Sequence, residues 1–263
     1  MTAPRILLLV PHPDDEVVCA ALATAQAVAA GATVFGLYLT TGVPAREVLW
    51  PWQRGSHPAR VARRRAEAMA AAERLGLTPL HFCDWPSRRL KEHLAEADAL
   101  ITEALDAQRI TALWTPAWEG AHQDHDVANF LAARHAGRLP VSEFAAYSYA
   151  GRKVTTQHFA APTGGEETLP LSPAQAQWKR GLLALYRSER GNLRHIGVTQ
   201  ESRRPIARHD YTRPPHTGPL FYQRFQWVPF RHPRIDFDRP EAICAALAAM
   251  PLLDRPTGAL SRP

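Results

Sequence analysis

The chain predicts an α/β fold, a Rossmann-like three-layer arrangement with a mostly parallel sheet and a loop-rich C-terminal subdomain. Three observations predict it. Short apolar runs of strand length alternate with Ala-rich helical stretches over residues 1–150. Such alternation implies a parallel sheet with right-handed crossovers. Two charge-dense segments each follow directly on one of the apolar runs. Proline, at 23 of 263 residues, exceeds the usual share of ~5% and gathers after residue 200.

Each element has its own warrant. Arg5 to Val10 is a continuous apolar run, as in a strand buried on both faces. Glu16 to Ala30 has no internal Gly or Pro and reads as a helix stopped by Gly31. Val34 to Thr40 is the second strand. A helix over His57 to Leu75 follows, with Gly76 at its C-terminal stop. Leu80 to Asp84 is a third strand, Arg89 to Ala107 a helix, and Ala112 to Thr115 a fourth strand. Asp124 to His135 is helical, and Phe144 to Tyr149 is a fifth strand. Beyond Gly151 the pattern weakens. Helices are expected at Pro173 to Arg187 and Glu241 to Met250, with an edge strand at Leu220 to Phe225. Residues 1–150 form the expected core. Residues 151–263 belong to the same domain, shape its pocket and end in a frayed tail over the last dozen residues.

Composition narrows the function. Hydrophobic residues are 46% and charged residues 21%, which excludes a disordered, collagen-like or coiled-coil chain. No apolar run reaches the roughly 18 residues of a membrane span, and Ile6 to Val10 is too short for a signal-peptide core. The reading is cytoplasmic. Cys19, Cys83 and Cys244 lie far apart without a CxxC, which excludes a disulfide scaffold and argues against a thiolate zinc site. Net charge is +6, yet 28 of the 31 basic residues are Arg and, apart from Arg63–Arg65, they are scattered. A GC-rich coding bias produces such a skew, so no nucleic-acid partner is expected. No GxGxxG follows the first strand, which argues against a dinucleotide.

The first strand ends in Pro11-His12-Pro13-Asp14-Asp15-Glu16. One imidazole and three carboxylates between a buried strand and a helix are costly unless something compensates their charge. The helix N-terminus compensates part of it, and a divalent cation would compensate far more. A helix cap is the plainer reading, but one Asp satisfies that role. The second segment, Ala121-His122-Gln123-Asp124-His125-Asp126, follows the fourth strand at the start of another helix. In parallel sheets ligands bind beyond the carboxyl ends of the strands, so both segments should meet at one rim. One imidazole there can bind metal while the other faces substrate; a solvated polar loop is the alternative.

Taken together, the two segments resemble the signatures of the PIG-L/LmbE-like metal-dependent N-deacetylases. Pro11 to Glu16 is similar to (A/P)HPDDE, and His122 to His125 to HxDH. The resemblance implies metal ligation by His12, Asp15 and His125, with Zn²⁺ as the cofactor and Fe²⁺ as the other ion such a ligand set accepts. It implies Asp14 as general base and His122 as oxyanion stabiliser or proton donor to the leaving amine. Asp124 would orient His122 or support the site from behind. Glu16 stays structural, bonded to backbone or an Arg.

The resemblance also touches substrate residues. Thr40-Thr41-Gly42 stands where relatives carry a Thr-x-Gly turn, which places Thr41 near substrate, with an ordinary Gly turn as the alternative. Arg64 and Glu67 match an Arg-x-x-Glu, so Arg64 would contact a substrate hydroxyl or phosphate. Relatives carry a sugar-holding Asp where this chain has Ser87; Asp84 lies three residues earlier. Trp50, Trp52, Trp85 and Trp118 fall in or near rim loops, suited to stacking on a ring or to loop packing. The remaining histidines take no metal role, although His209 or His216 could enter the site. The implied activity is removal of an N-acyl, chiefly N-acetyl, group from an N-acetylglucosamine-type conjugate or related small molecule. The alternatives are an amidase acting on thiol conjugates and a non-catalytic metal-binding protein.

Overall fold

The computed structural model describes residues 3–224, 230, 232, 237–250 and 252. Its centre is β1 (Arg5–Val10), whose side chains alternate between two cores. Ile6, Leu8 and Val10 enter one apolar cluster, and Leu7 and Leu9 enter the other. A strand buried on both faces needs no polar alternation.

Helix α1 (Asp15–Ala29) leads to β2 (Thr33–Tyr38), and α2 (His57–Leu75) leads to β3 (Leu77–Phe82). Gly76 ends α2 in the left-handed region, φ 70°, where a side chain is disfavoured. Then come α3 (Leu94–Ala107), β4 (Ala112–Pro116), α4 (Gln123–Arg134) and β5 (Val141–Phe144). The sheet runs β3-β2-β1-β4-β5 in parallel. Strand order reverses between β1 and β4, so their carboxyl ends flank the crevice where such sheets bind ligands. Those are the two strands that carry the charged segments.

The C-terminal part departs from the sequence reading. The fifth parallel strand forms earlier than expected, over Val141–Phe144, and shares only Phe144 with the expected strand Phe144–Tyr149. After β5 the Ala145 N–H donates to Ser202 O, and the Ala146 N–H donates to the Glu119 carboxylate. The chain therefore leaves the parallel ladder and forms a small hairpin, β6 (Tyr147–Ser148) with β7 (Thr155–Thr156). The sheet continues instead through β8 (Glu167–Pro170) and β9 (Gln200–Pro205), both antiparallel additions beyond β5. These polar segments lack an apolar run, because β9 buries Glu201 and Arg204 as ion pairs with Lys179 and Glu143.

The expected edge strand at Leu220–Phe225 does not form over its described residues. Phe221–Gln223 make a 3₁₀ turn, the Phe221 N–H donating to Gly120 O, so Leu220 packs on the Gly120 turn. Phe225 lies outside the described residues, as does the expected frayed tail except Leu252. Helix α5 (Pro173–Leu183) is shorter than expected, and α6 (Pro240–Ala248) lies where a helix was expected. Among the described residues no helix is long and apolar enough to cross a membrane.

Candidate active site

The loop from β1 into α1 carries unusual backbone. Asp14 has φ 140° and ψ −22°, a region that strains any residue with a Cβ, at a cost of order 1–3 kcal/mol. The surroundings hold it there. The Asp14 N–H donates to Glu16 Oε2 at 3.1 Å, and Glu16 Oε1 accepts from the Tyr186 hydroxyl. Asp14 O accepts from Val17 and Val18, each at 2.9 Å. Glu16 thus bonds to backbone, one of the two structural roles open to it.

The strained turn separates two adjacent carboxylates. Asp15 faces His12 and His125: its Oδ2 lies 3.1 Å from His12 Nδ1 and 3.0 Å from His125 Nε2. Asp14 faces Arg64, whose Nη1 and Nη2 each donate to Asp14 Oδ2 at 3.2 Å. Arg64 is buried on α2 and also lies 3.5 Å from Glu189. Gly42, φ 66°, permits that approach, since a Cβ there would stand 2.7 Å from Arg64 Nη2.

At the start of α4, His122 is the N-cap and its Nδ1 accepts from the Asp124 N–H at 3.1 Å. That bond leaves Nε2 as the protonated nitrogen of a neutral ring. Asp124 turns to a different imidazole: its Oδ2 lies 2.9 Å from His12 Nε2 but 3.7 Å from His122 Nδ1. Asp124 therefore contacts His12 more closely than His122. Asp124 also accepts from the Arg88 N–H at 2.6 Å and the Leu90 N–H at 3.3 Å.

The residues present fit a divalent cation. His12, Asp15 and His125 each bring a donor atom, all within 4.8 Å of one another, and all three are buried. His125 Nδ1 lacks a hydrogen-bond partner, while Asp15 lies near Nε2. A buried ring nitrogen is seldom left so. His12, His122 and Asp124 also converge, but the backbone donors already engage Asp124 and His122. With one His12 nitrogen on a metal, a carboxylate still holds the other, as ligating imidazoles require.

The electrostatics agree. Burial lowers the His12 pKa, but hydrogen bonds to Asp124 and Asp15 override it and raise it to about 10. An imidazolium between two carboxylates stands where a cation would serve equally. Burial works to raise the Asp15 carboxyl, yet His125 and His12 hold it well below the usual range. Burial pushes Asp14 well above that range, against the pull of Arg64. Burial, then the charge at His12, keeps His122 well below an ordinary imidazole.

These groups open onto a cavity of about 450 Å³ lined by His12, Asp14, Asp15, His122, Trp50, Tyr147, His195, Phe221 and Arg224, among others. Residues 7–136 match the family model described as GlcNAc-PI de-N-acetylase, PIG-L. This half of the chain is a PIG-L domain. No curated protein matches the chain by sequence. Solved structures resemble it at low identity. A deacetylase of the teicoplanin biosynthesis pathway is 22% identical, with a TM-score of 0.62 over 78% of this chain and 99% of its own. An N,N'-diacetylchitobiose deacetylase from Pyrococcus horikoshii is 17% identical, with a TM-score of 0.55 over 82% and 87%. A 4-carboxy-2-hydroxymuconate hydratase from Pseudomonas putida is 17% identical, with a TM-score of 0.51 over 79% and 98%. These likenesses share a fold, and the hydratase among them shows that the fold alone does not choose a reaction.

The remaining expectations sort around the PIG-L domain. Thr41 is buried and turned to its own loop, its hydroxyl donating to Val43 O at 3.2 Å, while Gly42 lines the cavity. Ser87 lines the cavity and its hydroxyl lies 3.5 Å from Asp124 Oδ2. Trp118 is buried against Tyr211, and Trp85 stacks on His93. Cys83 is buried, which pushes its thiol up to about 12. His209 bonds Glu143 behind the sheet.

Tyr147, Tyr186, Glu189, His195 and Phe221 were not singled out from sequence. Each is isolated among unremarkable neighbours, so no local signal marks it. Tyr147 packs edge-on against His125, ring centroids 5.6 Å apart.

Proposed function

We propose that the chain is a zinc-dependent hydrolase that removes an N-acyl group, chiefly N-acetyl, from an N-acetylglucosamine-type conjugate. The observation that carries this reading is the buried convergence of His12, Asp15 and His125, with His12, Asp14, Asp15 and His122 lining one cavity. The description of the PIG-L model and the two deacetylases among the structural neighbours support it.

His12, Asp15 and His125 would hold the ion. When bound, a divalent cation supplies a Lewis acid for the amide carbonyl and brings the pKa of water to about 7. Asp14, its pKa raised by burial, takes the proton of the attacking water, a better-matched base than an ordinary carboxylate. Arg64 fixes the direction of that carboxylate. His122, neutral, presents Nε2–H to the carbonyl oxygen as charge develops there. Asp14 then passes that proton to the leaving nitrogen, which departs as the amine. A cation-storage protein needs neither a strained, Arg-held Asp14 nor a capped, neutral His122. From the C-terminal part, residues such as Ser188, Glu189, His195, Phe221 and Arg224 contribute to the cavity wall.

The test is zinc and iron quantification on gently purified protein, with amine release from N-acetylated sugars and acylated thiol conjugates. The expected result is near-stoichiometric zinc and chelator-sensitive release from an N-acetylated sugar. Release confined to thiol conjugates would move the substrate class. Failure to take up metal after reconstitution would sink the reading.

A further inference from the structure

The donor cluster has two flanks, and they are built differently. On the Asp14 side stand Arg64, which holds that carboxylate, and Glu189, 3.5 Å from Arg64. Both line the cavity, and charged groups of this kind suit the hydroxyls of a polar amine. On the His125 side the cavity meets rings. Tyr147 stands edge-on to His125. Tyr147, His195 and Phe221 then pack against one another, ring centroids 4.5–5.2 Å apart. Val18, whose N–H bonds Asp14 O, and Ile196 are buried and line the same cavity. The chemistry uses none of these five side chains. The rings are held in place. Arg224 lies over Phe221, 3.5 Å from the ring centre, and donates to Phe221 O at 2.8 Å. His195 is uncharged at neutral pH, since burial, then the charge of Arg224, pushes its pKa down to about 4.

Position gives the rings their meaning. An amide seated against His12, Asp15 and His125 points its two substituents apart. The charged flank matches a hydroxyl-rich amine, which leaves the ring flank to the carbon chain of the acyl group. A single acetyl methyl covers little of a flank made of three rings. The cavity, at about 450 Å³, has the size of pockets that hold ligands far larger than an acetamide. Edge-on and tilted contacts are the ones aromatic rings prefer, so a further flat ring entering there meets partners of its own kind.

We propose that Tyr147, His195 and Phe221 form an acyl pocket, and that the site accepts apolar acyl groups longer than acetyl, up to an arylacetyl group. This rests on the amide-hydrolase reading and keeps its reaction: water adds across the amide C–N bond, giving a carboxylic acid and an amine. Acetyl is then the smallest of the acyl groups taken.

Binding of the acid products tests the pocket without turnover. Calorimetry on the protein with zinc added gives Kd for acetate, butyrate, phenylacetate and succinate. Phenylacetate should bind about tenfold tighter than acetate, with butyrate between them, as burial of added apolar surface requires. F221A should remove that advantage. Phe221 is buried and its truncation can cost folding, so H195A, at a partly buried position, is the second variant. It should lower the advantage about threefold, the worth of one lost ring contact. In turnover, kcat/KM for N-phenylacetylglucosamine should at least equal that for N-acetylglucosamine. Equal Kd values for acetate and phenylacetate would overturn the pocket, as would an advantage that survives in both variants. Amine release confined to N-acetylated sugars would overturn it too. Tighter binding of succinate alone would give that flank to the Arg224 charge and not to the rings. An intact preference among the acids, without amine release from any N-acylated sugar, would strike the hydrolase reading alone.

Discussion

Helix α1 meets two buried clusters of charge, and they differ in one respect. At its front, His12, Asp14, Asp15, His122, Asp124 and His125 crowd together, and His125 Nδ1 finds no hydrogen-bond partner. At its back, Lys179 and Glu201 form an ion pair of 2.7 Å, both fully buried. That pair closes a break in the helix. Ala20 leaves helical geometry, and Glu201 accepts the N–H groups of Leu22 and Ala23 at 2.9–3.2 Å. Lys179 Nζ and Gln157 Nε2 donate to Val18 O at 3.1 and 2.9 Å. Lys179 and Glu201 both have partners within hydrogen-bond distance, so the back cluster is scaffold. An orphaned ring nitrogen at the front calls for an added group. Charge density alone does not separate a site from a strut; the count of unmet partners does.

Substitutions on each side should sharpen that contrast. The largest effect is expected for D15N and H125Q, which remove donors from the front cluster. Zinc content should fall to near zero. Amine release should drop on the order of 10³-fold or more, since a bound metal is worth several kcal/mol and each 1.36 kcal/mol is tenfold. D14N should lose about 10²–10⁴-fold in kcat, the usual worth of a general base, while zinc content stays at the native level. Loss of zinc in D14N would move Asp14 into the ligand set.

K179M should act in the opposite sense. It strands Glu201 as an unpaired buried charge, at a cost of roughly 3–5 kcal/mol, read by urea denaturation. The kcat of the protein that remains folded should change little. A large kcat loss with unchanged stability would mean that the two clusters are not separable.

Y186F tests the brace between them. Tyr186 donates to Glu16, which in turn holds the Asp14 N–H. Loss of a hydrogen bond to a buried carboxyl costs about 1–3 kcal/mol. Part of it should appear as a kcat decrease of about tenfold with KM and zinc content unchanged. A shift in KM alone would place Tyr186 in substrate binding.

The smallest effect concerns pH. Burial, then the charge of Arg224, pushes His195 down to about 4. In the unfolded chain it takes a proton near pH 6.5. Between those values the unfolded state binds more protons, so this residue's contribution to stability is lost as pH falls from 6.5 toward 4. H195Q should therefore lose less Tm over that interval than the native protein. Parallel Tm curves would show that His195 titrates alike in both states.

The outcome for sequence reading follows the same division. His12 to Glu16 and His122 to Asp126 were legible because ligands and base crowd into short loops at two strand ends. A charge density that high is visible without a structure. Lys179, Glu201 and Tyr186 are single residues in ordinary surroundings, and their meaning depends on what lies across the core. Arg64 was legible as a matched residue, but its contact was not. The structure aims it at Asp14 and Glu189.

Local pattern by itself determined the alternation of β1 to β4 with helices and the placing of two polar loops at the ends of β1 and β4. Apolar runs, helix stops and the hand of parallel crossovers are properties of short stretches of chain. Tertiary structure alone decided the antiparallel extension through β9 and β8, the turn at Phe221, and the partner of Asp124. It also decided which tryptophans are buried and which stand exposed. Those outcomes depend on which buried polar groups find partners across the fold, and a polar strand such as β9 is stabilised only by the ion pairs its neighbours provide.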